Sequence, residues 1–195
     1  MGFAPGSKYG VYTGPGREYL RGGNGMALVS TKEKMQVYGV DNGWALIQYA
    51  VSENKFRFGY IPVLTLPEKY RSTSRVKPVN LLAQAETAAV LRDTAVTDDP
   101  NGSGEVLALL NAGQEGVLYL GELDGTWAYV QAVNGEGVPL RGFVPLADIA
   151  HETDPARSAY QVPGGTPQVW REGSLTARAL GAGIRYAVVP GNVTS

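Results

Sequence analysis

The feature that most constrains this chain is an internal repeat. Trp44-Ala45-Leu46-Ile47-Gln48-Tyr49 is followed by Gly59-Tyr60-Ile61-Pro62, and Trp127-Ala128-Tyr129-Val130-Gln131-Ala132 by Gly142-Phe143-Val144-Pro145. Trp to Gly is 15 residues and Trp to Pro 18 in both copies, and the copies stand 83 residues apart. Asp41 and Asp124 fall at the same offset. Upstream, Thr13-Gly14-Pro15 matches Thr97-Asp98-Asp99-Pro100 with a small change of length. Fixed spacing of aromatic, glycine and proline marks a duplication, and two copies are too few for a solenoid. Each copy must therefore bury a core of its own.

The local chemistry is β. Val37-Tyr38-Gly39-Val40 leads into Asp41-Asn42-Gly43, then a strand from Trp44 to Ala50. Asn-Gly and Asp-Gly between apolar runs are hairpin turns because they tolerate positive φ. The next strand runs from Arg57 to Ile61 and ends at Pro62, which cannot donate to a ladder. Copy two repeats the order with Gly116 to Gly121, Trp127 to Val133, and Arg141 to Val144. Short strands at this spacing predict an all-β chain of two small antiparallel barrels, about 9–66 and 88–150. The expected organisation is a first domain over 1–66, a linker over 67–87, a second domain over 88–150, and a C-terminal β extension over 151–195. Within that extension Gln168 to Glu172, Leu175 to Leu180 and Ile184 to Val189 read as strands. Leu81 to Leu91 is the best helix candidate. Strand parity places Ala45, Ile47 and Tyr49 inside copy one and Ala128, Val130 and Ala132 inside copy two, with Trp44 and Trp127 facing outward.

Composition narrows the chemistry. Among 195 residues there is no Cys and one His, which removes disulfides, thiolate catalysis and multi-histidine metal sites. No cofactor is expected. No run of about 18 apolar residues exists, so no membrane span is expected. Residues 1–80 hold 11 Lys and Arg against 5 Asp and Glu, whereas residues 81–150 hold 2 against 10. Opposite signs predict that the copies touch, with a Lys or Arg of 55–77 near an Asp or Glu of 93–148. No dense basic block is present, which argues against nucleic acid. Residues 1–7 show neither a basic nor an apolar leader segment, a pattern that does not decide the compartment.

The order of a turn-rich, Pro-bearing segment, a hairpin, Trp-Ala-x-Ile/Val and Gly-aromatic-Ile/Val-Pro resembles the SH3-like barrel, and most closely its bacterial (SH3b) branch. The likeness covers about 9–66 and 88–150. It implies exported modules that bind the cell envelope, often beside cell-wall enzymes, and hence an extracellular or cell-surface location with any leader outside this sequence. The chain departs from peptide-binding SH3 domains after the terminal proline. Pro62 precedes Val63-Leu64 and Pro145 precedes Leu146-Ala147, with no aromatic. That argues against a polyproline groove, especially in copy two, where Asp98-Asp99 stands in place of the loop aromatic Tyr12.

Candidate ligand-binding residues follow from parity and resemblance together. Trp44, Tyr12 and Pro62 would form an apolar surface in copy one, with Arg17, Arg21 and Arg57 to attract a carboxylate or phosphate. Trp127 and Pro145 are the copy-two counterparts. The competing reading is that both tryptophans are covered by the opening loop or by the neighbouring domain. Asp98-Asp99-Pro100 reads as an Asx-type turn, with a cation-attracting loop as the alternative. Ser158, His151 and Asp154 assemble into a triad only on paper, since no Gly-x-Ser-x-Gly elbow is present, and His151 reads as a linker residue. The functional expectation is a non-enzymatic module recognising cell-wall peptide or polysaccharide, or another envelope protein. The alternatives are a structural or protein-interaction spacer of a surface assembly, or an accessory part of a cell-wall hydrolase system.

Overall fold

The computed structural model describes residues 8–30, 35–53, 55–68, 71, 78–100, 104–123, 125–151 and 187–188. Their regular structure is β apart from short 3-10 turns. In copy one, β1 (Lys8–Gly10) pairs with β2 (Leu28–Ser30), and β3 (Met35–Asp41), β4 (Trp44–Ser52) and β5 (Lys55–Pro62) form an antiparallel meander. β6 (Pro78–Val79) lies parallel to the end of β3. Copy two is a seven-stranded sheet built from β7 (Glu86–Val90), β8 (Thr94–Thr97), β9 (Val106–Leu110), β10 (Val117–Leu123), β11 (Trp127–Val133), β12 (Pro139–Pro145) and β13 (Ile149–His151). Its order is β13-β7-β10-β11-β12-β8-β9. Of the C-terminal extension, β14 (Ala187–Val188) is described and pairs antiparallel with β3; the expected strands at 168–172 and 175–180 lie outside the described residues.

The duplication is visible in the pairing. Trp44 stands opposite Pro62, as Trp127 stands opposite Pro145. Each proline leads into a 3-10 turn, Val63–Thr65 and Leu146–Asp148. A β-bulge interrupts β3 between Val37 and Gly39, and another interrupts β10 between Tyr119 and Gly121. The structure shifts two of the expected equivalences. Asn42 and Gly43, at φ 50° and 77°, make a two-residue turn of the I′ kind, whereas copy two's turn is one residue longer. Asp41 faces Trp44, and Leu123 faces Trp127, so Leu123 rather than Asp124 is the counterpart of Asp41. Tyr12 bridges to Tyr60 as Thr97 does to Phe143, which makes Thr97 the counterpart of Tyr12.

The motif glycine has a steric cause. A Cβ on Gly59 would lie 2.3 Å from a Val11 methyl and 3.0 Å from the Tyr12 carbonyl oxygen. On Gly142 it would lie 2.6 Å from both the Thr97 carbonyl oxygen and a Val96 methyl. In each copy the opening strand crosses directly over this position, and only glycine admits it.

Two expectations are corrected. The sheets are open: the copy-two sheet ends at β13 and β9, which do not pair with one another. Closure is not needed to bury the core, because all seven strands send side chains into one apolar cluster, from Ala88 and Val90 through Val130 and Val144 to Ile149. Leu81 to Leu91 is not a helix; it forms a 3-10 turn at Leu82–Gln84 and then β7. Glu86, Ala88 and Val90 are buried while Thr87 and Ala89 are exposed, a period of two that the alanine-rich composition masks. Strand β7 thus begins at Glu86, within the span expected as linker, and pairs with β13, which ends at His151.

Strand parity predicts the cores well. Ala45, Ile47 and Tyr49 pack with Val11, Val29 and Ile61 inside copy one, and Ala128, Val130 and Ala132 lie inside copy two. The outward faces meet each other. Tyr38, Leu46, Phe58 and Tyr60 of copy one form a third buried cluster with Leu120, Leu123, Tyr129 and Phe143 of copy two. Both bulge residues, Tyr38 and Leu120, turn into this seam.

The seam has approximate two-fold symmetry in its positions and not in its chemistry. Phe58 opposes Gln48 as Arg141 opposes Gln131, so Phe58 and Arg141 are counterparts, as are Tyr60 and Phe143. At one end Phe58 meets Phe143 with ring centroids 5.1 Å apart. At the other, Arg141 Nη1 donates to Tyr60 Oη at 3.1 Å and to Asp41 Oδ2 at 2.8 Å. Arg141 Nε donates to Gln131 Oε1 at 2.9 Å, and Tyr129 Oη donates to Tyr60 Oη at 3.0 Å. The counterparts of Asp41 and Arg141 are Leu123 and Phe58, both in the apolar cluster.

Two measurements follow. Gly142→Ala should destabilise by about 1–3 kcal/mol or more, because backbone oxygen cannot retreat as a side chain can; chemical denaturation reads this directly. Asp41→Leu leaves Arg141 buried and uncompensated and should cost about 3–5 kcal/mol. Combining it with Arg141→Phe copies the apolar end of the seam and should recover most of that loss.

Candidate functional site

The strongest candidate site lies where the opening loop of copy one meets the Trp44 hairpin. Tyr12 is fixed by two backbone hydrogen bonds with Tyr60, at 3.0 and 2.7 Å. That pairing sets its ring edge-on to Trp44, with centroids 5.4 Å apart and planes at 76°. Pro62 stands opposite Trp44 across the β4–β5 ladder, and Thr65 Oγ1 donates to the Pro62 carbonyl at 2.7 Å, tying down the 3-10 turn that follows. Tyr12, Trp44 and Pro62 are all half-buried and line an open depression of about 220 Å³. Arg17, exposed, and Arg21 complete it. The Arg21 guanidinium lies 5.5 Å over the Tyr12 ring and donates to the Ala27 carbonyl at 3.2 Å. No carboxylate is among the described lining residues, and Arg17 and Arg21 make the depression electropositive. Flat apolar walls, an indole N–H, a phenol and two guanidinium groups suit a ligand with an apolar or ring face and an anionic or polar edge.

Arg57 is not brought to this depression. It lies five residues from Pro62 along β5, an odd number that turns it to the opposite face. There its Nε pairs with Asp98 Oδ1 at 3.0 Å, and its Nη1 lies 3.9 Å from Asp99 Oδ2. This is the expected contact between a base of 55–77 and an acid of 93–148. Copy two has no equivalent aromatic pocket wall at Tyr12's position. Trp127 and Pro145 are half-buried and opposed, with Trp127 packed on the apolar seam, but Thr97 takes the place of the loop aromatic.

Asp98 and Asp99 do not present an acidic loop to solvent. Both are buried, and Asp98 Oδ1 accepts the Glu105 N–H at 2.8 Å. The Asp98 backbone carbonyl also accepts the Phe58 N–H at 2.8 Å, a second tie between copies. Burial raises the Asp98 carboxyl to about 7, against the pull of Arg57 and the Glu105 N–H. Asp98 and Glu105 border a cleft of about 530 Å³ with Tyr49, whose hydroxyl is also pushed up, first by burial and then by Asp98.

Residues 67–151 hold a feature that sequence reasoning missed. His151 is part of β13, not a linker residue; its ring stacks on Tyr119 with centroids 3.7 Å apart, and its Nδ1 lies 3.1 Å from Glu86 Oε2. Glu86 is 65 residues away in sequence, so no local pattern announces the pair. Together they border a groove of about 900 Å³ along β7 and the 113–116 loop. Asp154 and Ser158 lie outside the described residues. Among the described residues no three His, Asp or Glu side chains gather as a metal site, and no helix is long and apolar enough to cross a membrane. No family model, curated protein or solved structure matches this chain.

Asp98 gives a pH dependence whose sign is fixed. Its carboxyl ordinarily titrates near 3.8, and in the fold near 7. Between those values the folded chain holds the extra proton, so stability falls as pH rises from about 4 to about 7. Thermal melts across that range should show a falling midpoint, and Asp98→Asn should flatten the profile.

Proposed function

We propose that this chain is a non-catalytic binding protein of the bacterial cell envelope, made of two SH3-like units. In this reading copy one recognises cell-wall peptide or polysaccharide through Tyr12, Trp44 and Pro62. One observation carries the reading: an outward tryptophan stands edge-on to a loop tyrosine, beside a proline, in an open electropositive depression. The identical Trp-to-Pro register in both copies, with a 3-10 turn after each proline, supports the SH3-like assignment of the two units. Arg17 and Arg21 point the site toward a carboxylate or phosphate on the ligand, each worth only fractions to about 1 kcal/mol where exposed. Arg57 ties the copies together through Asp98, and Trp127, like Trp44, packs on the seam between them.

A spacer role in a surface assembly is the second reading, favoured by the extent to which the copies cover each other's outer faces. Pull-down on purified bacterial cell wall separates the two. Wild type should be retained, Trp44→Ala should lose about tenfold or more in affinity, as truncated aromatic anchors do, and Trp127→Ala should lose less, each checked for folding by circular dichroism. Full retention of folded Trp44→Ala would remove the site. No retention of wild type would favour the spacer.

A further inference from the structure

A further hollow, of about 300 Å³, is bordered by the opening loop of copy one at the charged end of the seam between copies. Its inner wall includes Arg141, which is 2% exposed. Nε and Nη1 of that guanidinium are satisfied by Gln131, Asp41 and Tyr60. Nη2 is buried and meets no acceptor among the described residues. An arginine nitrogen buried without an acceptor carries a desolvation cost, which an acceptor reaching it from the hollow would relieve.

The surroundings define that acceptor. Asp41 already neutralises Arg141 at 2.8 Å, and Glu18 adds a further negative charge to the lining. Glu18 therefore repels an anion, and a cation brings Nη2 no acceptor, so the hollow favours a neutral ligand that presents acceptors. At the rim, exposed Asn42 and Asn80 each engage one end of the amide with backbone: Asn42 Nδ2 donates to the Pro15 carbonyl at 3.4 Å, and Asn80 Oδ1 accepts the Ala83 N–H at 3.1 Å. The opposite ends of both amides are groups a ligand can use. Pro15, Val79 and Leu82 supply apolar wall, and Leu82 is 45% exposed although it borders a buried seam. Neutral, rich in hydroxyl or carbonyl acceptors, with one apolar face: these are the properties of an uncharged sugar ring.

We propose that this inter-copy hollow binds a neutral sugar unit, with Arg141 Nη2 as the buried donor, Asn42 and Asn80 as rim contacts and Leu82 under the ring face. The site is separate from the Tyr12–Trp44 depression and does not rest on it.

Amide and arginine side-chain spectra of the labelled full chain, titrated with maltotriose and with triacetylchitotriose, test the proposal. At least one sugar should shift Asn42, Asn80 and the Arg141 Nε–H, with trigalacturonate at least tenfold weaker. Leu82→Glu, at an exposed position, and Asn42→Gly, which keeps the positive φ of the turn, should each weaken binding tenfold or more at unchanged melting temperature. Trp44→Ala should leave these shifts in place, which separates this site's failure from that of the first. The proposal is overturned if neither neutral sugar moves these signals, as when water alone satisfies Nη2. It is equally overturned if trigalacturonate binds as well, or if both folded variants bind like wild type.

Discussion

Arg141 is the charge around which the two copies are arranged. It sits against a seam cluster of Tyr38, Phe58, Tyr60, Tyr129, Phe143 and leucines, where an unpaired guanidinium would be strongly destabilising. Its acceptors come from both copies: Asp41 and Tyr60 from one, Gln131 from its own. An apolar seam alone tolerates sliding, because dispersion and burial have little direction. A guanidinium held by three partners does not, so the network fixes the register in which the copies meet. Tyr19 reinforces it, donating to Gln131 at 2.9 Å while lying 5.6 Å beneath the guanidinium. The opening loop of copy one is thereby anchored to copy two, and that same loop carries Tyr12 and Arg17 into the Trp44 depression on its other side.

Much of the local structure was legible in sequence because it follows from period and turn chemistry. Asn42-Gly43 marks its own turn, Pro62 and Pro145 end their strands, and alternation sorts Ala45, Ile47 and Val130 inward. Period two also sorts Leu46 and Tyr129 outward, but it is blind to what covers an outer face, and here each copy covers the other. Charge asymmetry announces a base of 55–77 against an acid of 93–148, but not that Arg57 itself turns from the depression to Asp98 and Asp99 of the opposite copy. The equivalence of Asp41 with Asp124 failed because an extra turn residue is invisible when two aspartates happen to align. Strand β7 reads as helix because its buried Glu86, Ala88 and Val90 and its exposed Thr87 and Ala89 give no hydropathy contrast that shows the alternation. Of the depression, Trp44, Tyr12 and Pro62 were legible from parity and resemblance; the edge-on ring geometry was not.

The two opening loops show how a duplicated element changes use. In copy one the loop keeps an aromatic against the tryptophan. In copy two the counterpart of Tyr12 is Thr97, whose hydroxyl bonds to the Asp99 carbonyl at 2.9 Å and shapes a turn that delivers two carboxylates to Arg57. The prevailing charges of the copies make this pair, while the other pair across the copies, Asp41 with Arg141, runs against them. Net charge therefore accounts for attraction between the copies and not for the bridge that aligns them.

The uneven chemistry of the seam bears on what a fused duplication permits. Two identical subunits related by a two-fold axis must present the same residue at both ends of their interface. Asp41 with Arg141 at one end and Leu123 with Phe58 at the other is a combination no homodimer can display. Joining the copies in one polypeptide lifts that restriction and lets each position specialise by itself. It also brings the partners together at an effective concentration in roughly the millimolar range, so a contact far too weak to hold separate subunits suffices to keep these halves associated.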